Sequence, residues 1–284
     1  MDPTEVVRVR ARDGAEDVER DDVLAVEEPL VIRVKSDSGG EALSFVTTMR
    51  TPGNDEELAA GLLFAEGVID GVRELARLER PSDARLDPQL KGNVLVATLS
   101  PEAHARAAKL QRGTVMGSAC GVCGKTSIEN VIPTGRPPLF GSLRVTPELL
   151  EALPARLRER QSIFARTGGL HAAGLFSPEG VAREVREDIG RHNATDKLVG
   201  AFLLRGALPL SDGILVVSGR AGFEIVQKAF SAGIPIVASV SAPSSLAVAM
   251  AEAGGVTLVG FLREHRFNIY SNSERVLGSG PPRS

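Results

Sequence analysis

One stretch decides the fold class, residues 214–261: ILVVSGRAGFEIVQKAFSAGIPIVASVSAPSSLAVAMAEAGGVTLVGF. It contains three apolar, β-branched runs without polar alternation, as expected for strands that are covered on both faces. These runs are Ile214–Val217, Ile234–Val240 and Val256–Phe261. Two helical segments lie between them, Ala221–Ala232 and Ser245–Ala253, and a glycine follows each one. The β-α-β-α-β order predicts parallel strands joined by right-handed crossovers, and therefore an α/β sheet.

The segment before this stretch predicts further elements of the same unit. Thr146-Pro147 is a helix start, with proline at the first helical position, and this helix is expected to bend at Pro154 and reach about Arg166. His171–Phe176 is a candidate strand. Asn193 is a candidate N-cap for a helix that continues to about Leu204.

The N-terminal third has a different pattern, in which short β-like runs dominate. We predict strands at Leu30–Val34, Leu43–Met49 and Val94–Leu99, and one helix at Glu56–Glu66 with Asn54 or Asp55 as its N-cap. The whole chain then divides into a small α+β domain over residues 20–112, a glycine-rich loop and linker over 113–142, and an α/β domain over 143–273. The first 20 residues and Gly278–Ser284 are expected to be frayed ends.

The composition excludes several classes of protein. The 284 residues carry 33 Lys and Arg against 36 Asp and Glu, a formal net charge of −3, so we expect no nucleic-acid partner. Ten Phe, one Tyr and no Trp supply few stacking platforms for single strands. No apolar run approaches the roughly 18 residues of a membrane span, and the N-terminus has no apolar signal core. We therefore expect a cytoplasmic protein without a membrane partner.

The two cysteines both lie in Cys120-Gly-Val-Cys123, inside the glycine-rich loop. An oxidoreductase pair follows a strand and begins a helix, and a zinc site needs about four ligands. Neither context is visible around this motif. The remaining interpretation is a nucleophilic thiolate on a flexible loop, where Lys125 and backbone N–H groups stabilise negative sulfur. The alternative is a pair of inert surface thiols.

A zinc deaminase is excluded by the same motif and by the residues after His171. That chemistry needs H-x-E followed downstream by P-C-x-x-C. Here the chain has His171-Ala172-Ala173, with alanine in the place of the glutamate, and its C-x-x-C lies upstream of the histidine.

Two histidines and three predicted strand ends are candidates for a ligand site. His171 follows a Gly-Gly turn, and His192 lies in a cluster of Arg, Asp and His before a predicted helix. Such a cluster can bind an anion and tune a proton donor, or it can be a solvated ion-pair network. Ser218-Gly219-Arg220, Ser239–Ser245 and Phe261–Arg266 follow the strands, where α/β sheets bind ligands. Arginines there suit a phosphate-bearing ligand.

Taken together, nine short strings of this sequence resemble the formate dehydrogenase accessory sulfurtransferase (FdhD) family. The resemblance covers roughly residues 24–272. The strings, in chain order, are Glu27-Glu-Pro-Leu30, Met49-Arg-Thr-Pro-Gly53, Cys120-Gly-Val-Cys-Gly124, Thr167-Gly-Gly-Leu-His-Ala172, Arg186-Glu-Asp-Ile-Gly-Arg-His-Asn193, Ser218-Gly-Arg220, Ala232-Gly-Ile-Pro235, Ser241-Ala-Pro243 and Asn268-Ile-Tyr-Ser271.

The resemblance implies a cytosolic, homodimeric sulfur carrier. Such a protein takes sulfane sulfur from a cysteine desulfurase and passes it to the molybdenum cofactor in its bis-guanine-dinucleotide form, before insertion into formate dehydrogenase. The implied persulfide residue is Cys120, and the implied cofactor-binding stretch is Phe261–Arg266. The implied fold is a small N-terminal domain with a cytidine-deaminase-like α/β domain that lacks the zinc site.

The residues and the resemblance together define the candidate sites. Cys120 and Cys123 are the catalytic candidates, with no metal site. Cys123 either relays sulfur or attacks the persulfide and expels sulfide. The cofactor-binding candidates are Ser218, Gly219, Arg220, Phe261, Leu262, Arg263, Glu264, His265, Arg266 and His192. His192 or His171 is a candidate proton donor. Three other functions stay open: a thiol-disulfide oxidoreductase, a non-catalytic nucleotide-binding adaptor, and a Cys₄ zinc site shared across a dimer.

Overall fold

The structure is a computed structural model that describes residues 1–81, 92–113 and 137–278. Within these ranges the chain forms two mixed sheets, each packed against helices, and one two-stranded hairpin. The predicted α/β class, a smaller α+β part followed by a larger α/β part, is confirmed. Cys120, Cys123 and Lys125, with most of the predicted linker, lie outside the described residues.

The first 25 residues form a long hairpin, so the predicted frayed N-terminus is wrong. Strands β1 (Thr4–Asp13) and β2 (Glu16–Ala25) pair along their full length. Gly14, at φ +61°, supplies the tight two-residue turn. Cross-strand ion pairs such as Arg10–Asp17 at 2.9 Å line one face. Charged residues alternate with valines, and this pairing of opposite charges becomes visible only once the two strands are aligned.

The smaller sheet has the strand order β4-β3-β6-β5. It contains the predicted strands and one that we did not predict: β3 (Glu28–Ser36), β4 (Gly39–Arg50), β5 (Leu75–Glu79) and β6 (Val94–Leu99). Helix α1 (Asp55–Ala65) buries Leu58 and Ala59 against Leu30, Ile32 and Leu95. Helix α2 (Pro101–Gly113), also not predicted, follows β6.

The larger sheet has the strand order β12-β11-β10-β9-β7-β8. Its strands are β7 (His171–Phe176), β8 (Ala182–Asp188), β9 (Ile214–Val217), β10 (Ile236–Ser239), β11 (Thr257–Arg263) and β12 (Arg266–Ser271). Strands β9, β10 and β11 are parallel, as predicted, and β7 runs antiparallel to β9. We did not predict the edge strands β8 and β12.

Five helices accompany the larger sheet, and the first three of them along the chain differ from the prediction. They are α3 (Pro147–Arg158), α4 (Ser162–Thr167), α5 (Arg191–Leu204), α6 (Phe223–Ser231) and α7 (Ser245–Gly254). The predicted helix to Arg166 is broken after α3 because the Glu187 carboxylate accepts N–H groups of Ile163 and Phe164 and starts α4. Asn193 is not an N-cap: α5 begins at Arg191, and Asn193 Nδ2 donates to Met49 O at 2.7 Å.

Helices α1 and α5 join the two sheets through a pair of glycines. A Cβ on Gly61 would overlap the Asp196 carbonyl oxygen, and a Cβ on Gly200 would overlap the Glu57 carbonyl oxygen. The two backbones therefore touch where these glycines face each other. One apolar cluster includes Val34 and Phe45 from the smaller sheet and Leu198 and Val217 from the larger part, so the sheets share a core.

Candidate functional site

The carboxyl ends of the parallel strands define one edge of the larger sheet, which we call the strand-end edge. Strands β9, β10 and β11 end there at Val217, Ser239 and Arg263. Because β7 is antiparallel to β9, it begins at this edge with His171, and β8 ends there with Asp188. The topology thus places the two predicted histidine regions and the predicted Ser-Gly-Arg turn at the same edge.

Ser218 and Gly219 hold the centre of the strand-end edge together. Ser218 Oγ accepts the N–H of Ala172 at 2.9 Å, and Ser239 Oγ lies 2.7 Å from Gly219 O. A Cβ on Gly219 would lie 3.2 Å from His171 Nδ1 and 3.4 Å from Arg191 Cδ. A glycine at position 219 therefore allows both side chains to approach the turn. Arg220, the third residue of the predicted turn, is exposed beyond it.

Arg191 is a cation at this edge that the sequence did not single out. It is half-buried in the first turn of α5, and its buried Nε has no hydrogen-bond partner among the described residues. No carboxylate within the described part of the chain forms an ion pair with its guanidinium. A partly desolvated guanidinium without a counterion is suited to a bound anion such as phosphate.

The two histidines at the edge are held in their neutral form. Burial lowers the pKa of His192 to about 4; Glu224, 3.5 Å from its Nδ1, opposes this shift, and Arg191 and Lys228 reinforce it. Burial, and then the charge of Arg191, also lower the pKa of His171. At neutral pH these rings can exchange hydrogen bonds with a ligand, but the positive charge of the edge comes from arginine.

We expect His192 to make the protein sensitive to acid. The folded-state pKa lies below the ordinary value of 6.5, so the unfolded chain takes up the proton first as the pH falls. The stabilisation of the fold by the neutral His192 ring is complete above pH 6.5 and is lost progressively as the pH falls from 6.5 to 4. His192→Gln should therefore lose less unfolding free energy than the wild type between pH 7 and 5, measured by urea unfolding.

The prediction compares the variant with the wild type because a second buried group, Asp196, also titrates in this pH range. Burial raises the pKa of Asp196 to about 6 against the pull of Lys228, so Asp196 stabilises the fold on acidification in part of the same range. Because Asp196 is present in both proteins, their difference reports the imidazole. Equal pH dependence of the two proteins would contradict the assignment to His192.

The predicted cofactor-binding stretch Phe261–Arg266 forms the end of the β11-β12 hairpin. Leu262 packs into the core beneath the sheet, whereas Phe261 is 40% exposed at φ +53°. Arg263 Nη1 donates to Val240 O at 3.1 Å, which ties the hairpin to the strand-end edge. The turn residues Glu264 and His265, and Arg266 after them, are exposed. Two members of this stretch are thus hydrogen-bonded to the segment after β10: Arg263 through its side chain, and Phe261 through its N–H, which donates to Ser241 O at 3.1 Å.

An open cavity of about 560 Å³ reaches the strand-end edge from the side of α3 and α4. His171, Ser218 and Val240 lie at its junction with the edge. The sequence analysis did not foresee this cavity because its other walls come from the break between α3 and α4. Its volume falls in the range of small-molecule sites.

A buried ion pair supports the loop before α5. Lys197 Nζ, with its residue 1% exposed, lies 2.7 Å from Asp188 Oδ2 and donates to Thr51 O at 2.8 Å. The same carboxylate accepts N–H groups from Thr51 and Gly190, and Asn193 Nδ2. The loop that presents Arg191 and His192 is therefore fixed to the chain segment between β4 and α1.

Lys197→Met is expected to destabilise the fold by about 3 kcal/mol or more, because it leaves the buried Asp188 carboxylate without its cation. The measurement is the free energy of unfolding in urea. Lys35→Met is the matched control: its pair with Glu79 spans 2.9 Å, but both side chains are one-third exposed, so a loss below about 1 kcal/mol is expected. Similar losses in the two variants would show that burial of the Asp188 pair does not matter.

The described part of the chain contains neither a cluster of metal ligands nor a membrane-spanning helix. Among residues 1–81, 92–113 and 137–278, no three His, Cys, Asp or Glu side chains are grouped as metal ligands. No helix in these ranges combines the length and apolarity needed to cross a bilayer.

Comparison with known proteins identifies the family. The model of the FdhD/NarQ family matches residues 25–277, most of the chain. The chain belongs to the FdhD/NarQ family. The match begins at the last residue of β2, and it includes both sheets, the strand-end edge and the Cys120–Cys123 motif. The resemblance inferred from nine short strings is thereby confirmed.

Several relatives of this FdhD/NarQ family member carry the same name. It is 49% identical to the sulfur carrier protein FdhD of Streptomyces coelicolor, over 94% of this chain and 93% of that protein. It is 44% identical to the sulfur carrier protein FdhD of Mycobacterium tuberculosis, over 95% and 97%. It is 41% identical to the protein of that name from Saccharolobus solfataricus, over 96% of each chain.

A solved structure shares the fold. The crystal structure of a chain described as a formate dehydrogenase accessory protein, from Desulfotalea psychrophila, superposes with a TM-score of 0.71. It covers 97% of this chain and 100% of its own, at 24% identity. The arrangement of two sheets around one core is therefore found in another protein of low sequence identity.

Proposed function

We propose that this protein is a sulfur carrier for formate dehydrogenase maturation. Its Cys120 accepts sulfane sulfur from a cysteine desulfurase. The protein then delivers this sulfur to the molybdenum cofactor in its bis-guanine-dinucleotide form. The observation that carries the proposal is that the chain, 49% identical to a protein named sulfur carrier, holds both of its cysteines in one C-x-x-C. Formate dehydrogenase is the proposed recipient of the sulfurated cofactor.

The sulfur-accepting step needs a nucleophile and no net redox change. The Cys120 thiolate attacks the outer sulfur of the donor persulfide, so that a new S–S bond forms on Cys120. The bond between the two donor sulfurs breaks, and the donor cysteine leaves as a thiolate. Exchange of this kind is faster when the attacking thiol is ionised and accessible. Delivery of the outer sulfur to the cofactor as sulfide needs two electrons, and Cys123 can supply them. Its thiolate attacks the Cys120 sulfur, a Cys120–Cys123 disulfide forms, and the outer sulfur leaves as sulfide.

The strand-end edge supports the cofactor side of the proposal. Arg191 and Arg220 supply positive charge near the N-terminal ends of α5 and α6, where pyrophosphate groups are favoured, and Arg263 adds a charge on Val240 O after β10. The His171 and His192 rings supply hydrogen bonds, but their lowered pKa values keep them neutral, so they are suited to accept a proton and not to be the proton donors expected from the sequence. The molybdenum cofactor is the substrate in this scheme, and no metal of the protein's own takes part.

A loading experiment tests the proposal. The purified chain is incubated with a cysteine desulfurase and L-cysteine, and its intact mass is measured before and after addition of a reducing thiol. We expect a gain of one sulfur atom that the thiol removes. A chain whose mass never changes, with an active desulfurase, would contradict the proposed function.

Two further properties are proposed from the family resemblance. We propose a cytoplasmic location, which agrees with the need for reduced cysteines and a soluble desulfurase partner. We also propose a homodimer.

A further inference from the structure

The β1-β2 hairpin, which we call the arm, is attached to the rest of the protein at its base. Arg166 Nη2 of α4 donates to Thr4 Oγ1 at 3.1 Å, and a Cβ on Gly169 would lie 3.8 Å from Ala25 Cβ. At the other end of the arm, every residue from 12 to 20 is exposed. A two-stranded hairpin is only marginally stable in water without a further strand or a covering layer. The outer end of the arm would therefore be stabilised by a surface that covers it.

One face of the arm is acidic at its tip and apolar behind the tip. Asp13 and Glu16 are cross-strand neighbours beside the turn, and neither carboxylate forms an ion pair in the described part of the chain. Ala11 and Val18 form the next pair on the same face, and Val18 is 45% exposed. The ion pairs of the hairpin lie on the opposite face. The tip is thus complementary to a surface that combines cations with apolar side chains.

A surface with these properties lies where α3 ends and α4 begins. We call it the arginine surface, and its four members are Arg156, Arg158, Arg160 and Arg166. None of them forms an ion pair with a carboxylate in the described ranges, and the segment 156–166 contains a single acidic residue, Glu159. Arg156 donates to two carbonyl oxygens, whereas Arg158 and Arg160 are exposed. The surface therefore has an excess of positive charge, although the whole chain has a net charge of −3.

The open cavity of about 560 Å³ supplies the apolar part of the arginine surface. Leu157, Phe164 and the buried Gln161 line it. Arg158 lies over the Phe164 ring, with its guanidinium carbon 4.1 Å from the ring centroid. A valine from another surface can pack against these walls while carboxylates beside it reach the arginines.

The length of the arm decides which molecule it can cover. Gly169 lines the cavity and lies next to Ala25, so the base of the arm is beside the cavity of its own molecule. A strand of ten residues is about 33 Å long, so the tip of an extended arm cannot reach that cavity. A second copy has the same cavity. When one tip occupies the cavity of a second copy, a two-fold axis places the second tip in the first cavity, and the contact is closed.

The area of this arrangement is sufficient for a dimer. Each arm is about 33 Å long and about 10 Å wide, so the two symmetric contacts bury on the order of 1,300 Å² in total. Specific protein interfaces bury about 1,200–2,000 Å².

We propose that the arm of each molecule docks its tip on the arginine surface of a second copy of this chain. Asp13 and Glu16 form ion pairs with Arg158 and Arg160 of the partner subunit, and Val18 packs in the cavity between them. The proposal rests on the homodimer of the proposed function and assigns its contact surface. It does not depend on sulfur transfer.

Charge reversal on both sides of the contact tests the proposal. The dimer dissociation constant of the full chain is measured by analytical ultracentrifugation. The double variant Arg158→Glu, Arg160→Glu should weaken the dimer at least about tenfold, because like charges then face each other. Asp13→Lys together with Glu16→Lys should have a similar effect. The variant with all four changes should recover most of the affinity, since the opposite charges are restored in exchanged positions.

The matched control has the same change in net charge at another place. Arg73→Glu and Lys109→Glu alter two exposed cations on elements of the smaller sheet, and the dissociation constant should stay unchanged. Val18→Asp tests the apolar part and should weaken the dimer severalfold. Every substituted side chain is exposed, so the variants should fold like the wild type.

The results that overturn the contact are distinct from those that overturn the carrier function. Unchanged dimer affinity in either double variant rejects the contact, as does a fourfold variant no tighter than the double variants. A dimer that weakens with the arginine changes but not with the arm changes assigns another occupant to the arginine surface and rejects the arm. A monomeric wild type that still gains one sulfur rejects the dimer and the contact, but not the carrier. A charge-sensitive dimer that never loads rejects the carrier function alone.

Discussion

Replacing Cys120 by alanine is expected to abolish sulfur loading completely. The proposed carrier step needs one thiolate that attacks the donor persulfide, and the chain has two cysteines, both in the C-x-x-C motif. Loss of the attacking sulfur removes the bond in which the transferred atom is held. The measurement is the intact mass of Cys120→Ala after incubation with desulfurase and L-cysteine, where no gain is expected.

The matched variant Cys123→Ala separates the carrier from its neighbour. It should still gain one sulfur atom, and the persulfide should persist longer if Cys123 normally attacks it. Full loading of Cys120→Ala together with loss in Cys123→Ala would move the carrier role to Cys123. A requirement for both cysteines, with a reversible dithiol couple and no persulfide, would favour the thiol-disulfide oxidoreductase instead.

Gly200→Ala is expected to destabilise the fold by at least about 5 kcal/mol, enough to unfold a marginally stable protein. The added Cβ would overlap the Glu57 carbonyl oxygen, which belongs to the backbone of α1 and cannot rotate away. The helices would have to separate, which opens the core that the two sheets share. The measurement is the urea midpoint of the variant, or its yield of folded protein.

Gly71→Ala is the control for the general effect of losing a glycine. Gly71 has φ −176° and open space around its Cβ position, so the change should be close to neutral. Gly61→Ala should reproduce the defect from the opposite helix, because its Cβ would overlap the Asp196 carbonyl oxygen. A Gly200→Ala protein as stable as Gly71→Ala would show that the α1-α5 contact can relax without loss.

The central sheet could be predicted closely because its signal is local. Unbroken β-branched runs between glycine-ended helices identified β9 to the residue and placed β10 and β11 within two residues at each end. The hairpin β1-β2 was missed because most of its residues are exposed. The edge strands β8 and β12, whose residues are mostly half-buried, were missed because their pairing partners decide their conformation. The break between α3 and α4 depends on Glu187, a residue more than twenty positions away.

The candidate site likewise contains residues that the sequence identified and residues that it did not. His171, His192, Ser218 and Gly219 were predicted and do lie at one edge, because strand ends and the Gly-Gly turn mark such positions in the sequence. Gln161 was missed since it lies in a charged stretch, Arg-Glu-Arg-Gln, that has the composition of an exposed helix end. Its burial comes from packing against the sheet, which no local pattern records.

The glycine contact between α1 and α5 has a consequence for recombining members of the family. A chimera that takes its first half from one relative and its second half from another must preserve the direct backbone contact between α1 and α5. In an ordinary interface a larger side chain on one helix can be offset by a smaller one on the other. Where two backbones are in contact, no side chain can be made smaller to compensate. Parents for such hybrids should therefore be chosen by the residues aligned with Gly61 and Gly200 before any other criterion.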